Sequence, residues 1–246
     1  MSHARLAKVI AHRGASADAP ENTLSALKLA AEQNATCVEI DVSISSDGVA
    51  FVHHDSRLDR CTNGTGLLCQ RTASQLDQLY AGKEHPGFEQ EPLPRLSTVI
   101  ALLKEHRLGL NLEIKPYKGL TKPTVESICA ELEKSWPSDL ALVVSSFDHD
   151  SIGMIRERMP EVARAPLVGA IPDTWEELMQ NYDAHNVHCA EAELTEEAAR
   201  KVTMAGYGLY CYTVNDTDRA TKLLEWGAHG VFTDYPGQML GGCAGV

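Results

Sequence analysis

Two acidic residues alternate with aliphatic ones in residues 37–42, Cys-Val-Glu-Ile-Asp-Val, and this spacing suits metal binding. In an extended strand successive side chains point to opposite faces, so Glu39 and Asp41 share one face. Two acids on one face of a strand that is buried on both sides are costly unless a cation neutralises them. Carboxylate oxygens are the natural ligands of Mg²⁺ and Ca²⁺. An edge strand with one wet face would also explain the pattern.

The same logic applies to residues 111–115, Asn-Leu-Glu-Ile-Lys. Here Asn111, Glu113 and Lys115 share one face of a predicted strand, and two aliphatic residues share the other. An ordinary ion pair between Glu113 and Lys115 would account for this segment alone. Two apolar strands that both carry inward charges near their predicted carboxyl ends instead indicate a hard-cation site, with open positions for substrate oxygens.

Histidines follow two other predicted strands. Residues 9–14 run from an apolar strand into His12, Arg13 and a glycine. Imidazole exchanges protons near neutral pH and guanidinium matches two phosphate oxygens, although a surface turn with a solvated arginine would look the same. The second strand runs into His53, His54 and an acid, and the spacing alone does not decide which histidine faces a site. The remaining histidines are expected at the surface or with their hydrogen bonds satisfied.

A regular alternation of strand and helix patterns supplies the scaffold for these segments. Strands are predicted at residues 9–11, 37–43, 49–53, 109–114, 140–145, 165–168, 187–190, 208–213 and 230–233. Helices are predicted at residues 23–33, 97–106, 121–136, 149–159, 175–181, 195–204 and 217–226. Such alternation favours a parallel α/β fold. The length of 246 residues is close to the ~250 typical of a (β/α)₈ barrel, although several two-domain arrangements would also fit.

The chain departs from this alternation after the second strand. A Ser-Ser-Asp-Gly link precedes the strand at 49–53, and so short a link with Asp-Gly predicts a β-hairpin. Residues 55–106 then hold a glycine-rich turn and a short helix opened by a capping box of Thr72 and Gln75. We predict that this stretch is a small insertion over one end of the fold, and not an independent domain.

The composition argues against several classes of partner. With 34 acidic residues against 22 lysines and arginines, the net charge of −12 disfavours nucleic acid and anionic lipid, and an anionic substrate would need a locally positive site. No apolar run exceeds five residues, so no integral membrane association is predicted. Seven cysteines without a Cys-x-x-Cys pair predict buried apolar thiols, no zinc and a reducing, cytoplasmic location. The sequence leaves the oligomeric state open.

Eight short motifs are spread along residues 9–236. They are HRG at 12–14, PENT at 20–23, EIDV at 39–42, HHD at 53–55, NLEIK at 111–115, SSF at 145–147, YTVN at 212–215 and TDYP at 233–236. In these motifs and in their order, the chain closely resembles the glycerophosphodiester phosphodiesterase family, particularly its small cytoplasmic bacterial members.

The resemblance implies a fold and a metal. The fold would be a (β/α)₈ TIM barrel of the α/β class, a single domain over residues 1–246 with a small insertion after the second strand region, at about residues 55–106. The metal would be a divalent cation, Mg²⁺ or Ca²⁺, held by Glu39, Asp41 and Glu113.

The resemblance also implies roles for residues around that cation. His12 and His54 would be the acid–base pair, which selects the second histidine of the HHD motif and leaves open which of the pair is the base. Arg13 and Lys115 would hold the phosphate. Glu21, in the turn that caps the first helix, would brace the site.

The activity implied is hydrolysis of a small-molecule glycerophosphodiester to sn-glycerol 3-phosphate and an alcohol. A lysophospholipase D would share this chemistry but needs an exposed apolar rim, for which the insertion offers Leu67, Leu68 and Phe88. A barrel that binds metal and phosphate without turnover is the non-enzyme alternative, which the presence of both histidines disfavours. The cysteine before Tyr212 and the acidic segment 190–193 depart from the family pattern and leave the contacts to the alcohol open.

Overall fold

Strands and helices alternate along this computed structural model, which describes residues 6–83, 85–88 and 90–242. The strands are β1 (Val9–Ala11), β2 (Cys37–Ile44), β3 (Ala50–Val52), β4 (Gly109–Ile114), β5 (Leu142–Ser146), β6 (Ala163–Val168), β7 (Asn186–Ala190), β8 (Gly208–Tyr212) and β9 (Gly230–Thr233). The helices are α1 (Leu24–Glu32), α2 (Ala73–Leu76), α3 (Leu96–Glu105), α4 (Thr121–Ser135), α5 (His149–Arg158), α6 (Trp175–Asn181), α7 (Glu196–Met204), α8 (Thr217–Glu225) and α9 (Pro236–Gly242). Single 3₁₀ turns occupy Leu68–Gln70 and Glu191–Glu193.

Eight of the strands in the described part of the chain close into a parallel barrel. They are β1, β2 and β4 to β9, and β1 pairs with both β2 and β9, which completes the ring. β3 lies outside the ring and pairs with β2 in antiparallel fashion, with Val52 opposite Val42, so the predicted hairpin is confirmed. Helices flank the barrel strands. The fold is a (β/α)₈ TIM barrel, and the predicted fold class is confirmed.

The alternation of side chains along the strands decides what each face of the barrel contacts. Val38 and Ile40 of β2 belong to a large apolar cluster that also contains the buried face of α3 and α4. Inside the barrel, a second apolar cluster includes Ile10, Val143 and Tyr210. Polar side chains occupy the carboxyl ends of the strands, which is the end where barrel enzymes place their chemistry.

The observed elements follow the predicted ones closely. Strand bounds differ by at most two residues and helix bounds by one, whereas α9 and the two 3₁₀ turns were not predicted. The insertion contributes Leu68 and Leu76 to a further apolar cluster, which also contains Phe51 of β3. The division of residues 1–246 into a single domain stays a prediction, and its first five and last four residues lie outside the described ones. Among the described residues, no helix is long and apolar enough to cross a bilayer.

Candidate active site

Three carboxylates meet at the carboxyl ends of neighbouring strands. Glu39 and Asp41 extend from β2, and Glu113, which lies beside Asp41 in the parallel pairing, extends from β4. One oxygen from each carboxylate lies within 4.8 Å of those from the other two. The side chains of the two β2 acids are almost completely buried. The structure therefore brings together the three acids that the alternating pattern singled out.

The electrostatics of these carboxylates suit a bound cation. Burial, and then the neighbouring Asp41 and Glu113, raises the pKa of Glu39 well above its usual range. Burial and Asp41 also raise the pKa of Glu113 to about 7, against the opposing effect of Lys115. Glu39 Oε1 is buried without a hydrogen-bond partner. Oxygen donors that repel one another and leave a buried acceptor unpaired fit a hard divalent cation such as Mg²⁺ or Ca²⁺.

Two cationic side chains stand beside the acids. Arg13 Nε forms an ion pair with Asp41 Oδ2 at 3.1 Å, and Lys115 Nζ lies 2.8 Å from Glu113 Oε1 and 3.4 Å from Asp41 Oδ1. Burial alone would raise the pKa of Asp41, but Arg13 and Lys115 hold it at about 2. Both cationic residues line the same pocket, so an anion can meet positive charge there although the chain is acidic.

The turn after β1 fixes the position of Arg13. This residue has a left-handed backbone with φ of 58°, and its N–H donates to Glu39 Oε2 at 3.0 Å. Gly14 follows with φ of 83°, and a Cβ at this position would lie 2.6 Å from the carbonyl carbon of Ala26. A side chain would meet both backbone strain and a clash here, so glycine is the residue that fits.

Residues 20–23 support the site from behind. Glu21 Oε1 accepts a hydrogen bond from Arg13 Nη1 at 2.9 Å. Asn22, with φ of 60°, donates from Nδ2 to Asp41 Oδ2 at 2.9 Å and accepts at Oδ1 from the Asp41 N–H at 3.1 Å. No role was predicted for Asn22, because its pairing with β2 depends on how the turn folds back. The last residue of the segment caps α1.

Two histidines of the pocket are held by carboxylates in the same way. His12 Nδ1 lies 2.7 Å from Asp234 Oδ1, and His54 Nδ1 lies 2.7 Å from Asp55 Oδ1. A carboxylate is an acceptor, so each Nδ1 donates and each Nε2 is left for the pocket that both rings line. Burial lowers the pKa of His54 by more than the nearby Asp41 raises it.

The neighbouring histidine does not line this pocket. His53 is buried, and its Nε2 lies at hydrogen-bond distance, 3.1 Å, from the carbonyl oxygen of Arg57. Burial also lowers the pKa of His53. Of the two histidines that spacing left open, His54 is the one placed on the pocket.

The carboxylate behind His12 has supports of its own. Asn215 Nδ2 donates to Asp234 Oδ2 at 2.7 Å, and Ser16 Oγ donates to Asp234 Oδ1 at 3.0 Å. Burial alone would raise the pKa of Asp234, but hydrogen bonds from His12 and Asn215 bring it to about 2. None of these residues was predicted to belong to the site, although Asn215 and Asp234 stand within the YTVN and TDYP motifs.

The pocket between these groups has a volume of about 120 Å³ and a partly apolar lining. Phe147, which follows β5, is half-exposed and meets Tyr212 of β8 edge-on, with ring centroids 5.9 Å apart. Tyr212 Oη donates to the Val168 carbonyl oxygen at 2.6 Å, which fixes the ring. In the acidic segment after β7, Glu191 is paired with Arg219 at 2.6 Å and its charge is thereby balanced.

A buried histidine also lines the pocket. His188 is completely buried, and neither ring nitrogen has a hydrogen-bond partner. Burial lowers the pKa of His188 to about 3, so the ring is neutral at ordinary pH. The expectation that the remaining histidines lie at the surface or have satisfied hydrogen bonds is wrong for this one, because the barrel interior supplies aromatic neighbours instead of polar ones.

Comparisons with known proteins agree with one another. The profile of the glycerophosphoryl diester phosphodiesterase family matches residues 12–238. A glycerophosphodiester phosphodiesterase of Bacillus subtilis is 30% identical over 92% of this chain and 83% of its own length. One from Caldanaerobacter subterraneus is 29% identical over 94% of this chain and 96% of its own. The solved structure of an Oleispira antarctica phosphodiesterase in complex with the product sn-glycerol-3-phosphate is 38% identical, covers 97% of both chains and has a TM-score of 0.95.

Proposed function

This chain belongs to the glycerophosphoryl diester phosphodiesterase family, and we propose that it hydrolyses glycerophosphodiesters to sn-glycerol 3-phosphate and an alcohol such as choline, ethanolamine or glycerol. The observation that carries the proposal is the pocket itself. Two carboxylate-anchored histidines, two cationic side chains and two of the three clustered acids, Glu39 and Glu113, line one cavity, which suits acid–base chemistry on an anion that also binds a cation.

The three clustered acids are the proposed cation ligands. Glu39, Asp41 and Glu113 would hold Mg²⁺ or Ca²⁺, since their oxygens match the preference of both ions. When bound, the cation would neutralise charge on a phosphate oxygen as that charge grows in the transition state. Arg13 and Lys115 would bind the other non-bridging oxygen and add to that neutralisation. Glu21 would keep the Arg13 guanidinium in place through their 2.9 Å hydrogen bond.

The two histidines are the proposed proton carriers. In our assignment His12 accepts the proton of the attacking hydroxyl at Nε2, and His54 donates a proton from Nε2 to the departing alkoxide. Asp234 and Asp55 would fix the rings and stabilise their protonated forms, as a carboxylate does in other acid–base pairs. The equal support of both rings is compatible with alternating roles.

The nucleophile is proposed to be the substrate's own hydroxyl. The glycerol carbon next to the esterified one carries a hydroxyl, and intramolecular attack can reach effective molarities of roughly 10⁵–10⁸ M. In the first step His12 would take the proton of that hydroxyl while His54 protonates the leaving alcohol, which gives a cyclic phosphate. In the second step water would attack phosphorus as His54 takes its proton. The bond between phosphorus and the oxygen of the former nucleophilic hydroxyl would break, and His12 would return its proton to that oxygen. Direct attack by water is the competing route.

Turnover of a panel of glycerophosphodiesters and lysolipids, each with Mg²⁺ and with Ca²⁺, tests the function. We expect release of sn-glycerol 3-phosphate from the glycerophosphodiesters and much slower turnover of lysolipids. Of the candidates for an apolar rim, Leu68 is buried within the insertion, and Leu67 and Phe88 are half-buried, so they offer an acyl chain little exposed surface. Faster turnover of lysolipids would favour a lysophospholipase D, and binding without any turnover would favour the non-enzyme alternative.

A further inference from the structure

Arg60, an arginine of the insertion, contacts both Asp55, which is bonded to His54, and Glu21, which is bonded to Arg13. Arg60 lies between β3 and the 3₁₀ turn at Leu68–Gln70. Its Nε and Nη2 donate to Asp55 at 2.7 and 3.0 Å, and its Nη1 and Nη2 donate to Glu21 at 2.6 and 2.8 Å. A single planar guanidinium thus holds two carboxylates, a geometry that lysine cannot reproduce.

The same carboxylate oxygens also hold the reacting groups. Asp55 Oδ1 accepts from His54 Nδ1 at 2.7 Å as well as from Arg60. Glu21 Oε1 accepts from Arg13 Nη1 at 2.9 Å as well as from Arg60. A continuous series of hydrogen bonds therefore runs from the phosphate-binding arginine to one of the two histidines, and Arg60 Nη2 is its central donor.

The positive charge of Arg60 is needed to keep the carboxylates of Glu21 and Asp55 close together. Glu21 and Asp55 are two carboxylates that approach one guanidinium from different elements, and without it they would repel each other. Hydrogen bonds from Arg60 are the largest influence that lowers the pKa of Asp55. Asp55 without Arg60 would lose its fixed orientation, and Glu21 would be free to turn wholly toward Arg13.

An exposed ion pair without function is the simpler explanation, and the geometry argues against it. The Arg60 side chain is 40% exposed, yet Asp55 and Glu21 are 27% and 20% exposed and face inward to the site. Most surface pairs join two flexible side chains that hold nothing else. Here both partners are already bound to groups that line the pocket.

We propose that Arg60 is a positioning residue that holds Arg13 and His54 in one geometry through Glu21 and Asp55. The inference rests on the proposed function for the roles of Arg13 and His54. It assigns the insertion a task in the reaction, because a residue from outside the ring of strands sets the distance between anion binding and proton transfer.

The test compares Arg60→Gln with Arg57→Gln, a control that removes the same charge three residues away. The Arg57 side chain is 60% exposed and pairs with Asp59, which binds none of the pocket residues. We expect Arg60→Gln to lower kcat/KM by about 10- to 100-fold, with both a lower kcat and a higher KM. Arg60→Lys should recover little of this loss, whereas added guanidinium ion should partly rescue Arg60→Ala.

Two measurements need no turnover and separate this inference from the proposed function. The affinity for inorganic phosphate should fall in Arg60→Gln, and the ¹⁵N signal of His54 Nδ1 should lose the signature of its bond to Asp55. If the natural enzyme hydrolyses no glycerophosphodiester, the proposed function is wrong, but the phosphate affinity and the ¹⁵N signal still test whether Arg60 positions Arg13 and His54. The proposal would be overturned if Arg60→Gln, shown by thermal unfolding to be folded, matched Arg57→Gln in its kinetics, its phosphate affinity and its ¹⁵N signals. It would also be overturned if Arg60→Gln lost activity only because it unfolds, while guanidinium failed to rescue Arg60→Ala and Arg60→Lys recovered full activity.

Discussion

At the scale of single residues, His12 and His54 should be far more sensitive to substitution than His53, which precedes His54. We expect His12→Ala and His54→Ala each to lose on the order of 10²–10⁴ in kcat with the fold intact, because each removes a proton carrier. His53→Ala should have a much milder effect, since its ring does not line the pocket. Steady-state kinetics with circular dichroism as the folding control checks this. A larger loss for His53→Ala than for His54→Ala would contradict the assignment.

The substrate's neighbouring hydroxyl should be needed for fast turnover. We expect an analogue that lacks it to bind normally and to be hydrolysed very slowly, because the intramolecular nucleophile is gone. Competition with a normal substrate measures its binding, and phosphorus NMR during turnover by a His54 variant looks for the cyclic phosphate. Comparable hydrolysis of the deoxy analogue would instead support direct attack by water.

His188 should make the folded state sensitive to acid. Its pKa is about 3 in the folded protein and roughly 6.5 in an unfolded chain, so the unfolded state binds the extra proton between these values. Stability is therefore lost as the pH falls through this window, by up to about 1.4 kcal/mol per pH unit for one proton. The pH dependence of the free energy of unfolding should be shallower in His188→Leu than in the unchanged protein. Equal slopes between pH 6 and pH 4 would refute this.

The site residues differ in how well a sequence reveals them. Glu39, Asp41 and Glu113 are visible because strand geometry has a period of two, and an acid inside an apolar strand is conspicuous. The choice between His53 and His54 depended on the resemblance to a family, because the sequence does not show which of two adjacent side chains at a strand end points into the site. Arg60 was not predicted, because its partners come from separate turns whose approach no local pattern encodes.

At the scale of elements, the turn after β1 allows a sharp test. Gly14→Ala should cost about 3–5 kcal/mol of stability, because it adds left-handed strain to a contact of 2.6 Å with the α1 backbone. Gly48→Ala is the matched control, since Gly48 has a similar φ of 81° but nothing within 4 Å of its added Cβ. It should cost only about 1–2 kcal/mol. Denaturant unfolding measures both, and equal costs would show that the close approach to α1 is unimportant.

Most elements were predictable because burial imposes a strong pattern on them. The barrel strands are buried on both faces and give short β-branched runs, and the flanking helices give one apolar stripe each. The helix α9 was missed because its sequence, Pro-Gly-Gln-Met-Leu-Gly-Gly, is poor in helix-forming residues. Tertiary contacts sustain it instead, since Met239 is completely buried and the Gly237 N–H donates to Gln33 Oε1 at 3.1 Å.

At the scale of the whole molecule, a divalent cation should affect both activity and stability. We expect EDTA to abolish turnover and Mg²⁺ or Ca²⁺ to restore it. At a hundred times its Kd the cation should add roughly 2.7 kcal/mol to the free energy of unfolding, if the unfolded chain does not bind it. Glu113→Gln should reduce this gain, whereas Glu197→Gln, an exposed change on α7, should keep it. Full activity after exhaustive chelation would rule out the metal requirement.

The hydrogen bond between His12 and Asp234 has a consequence for protein synthesis. It joins positions 222 residues apart, and it forms through the pairing of β1 with β9. The ribosome makes the chain from its amino end, whereas a domain generally folds as a unit. A nascent chain that has reached residue 214 already carries His12, His54 and the three proposed acidic ligands, but it lacks Asn215 and the carboxylate of Asp234 that is hydrogen-bonded to His12. Closure of the ring by β9 is thus the step that completes the site, and the ribosome must pass residue 234 before His12, the first proposed catalytic residue in the sequence, acquires its partner.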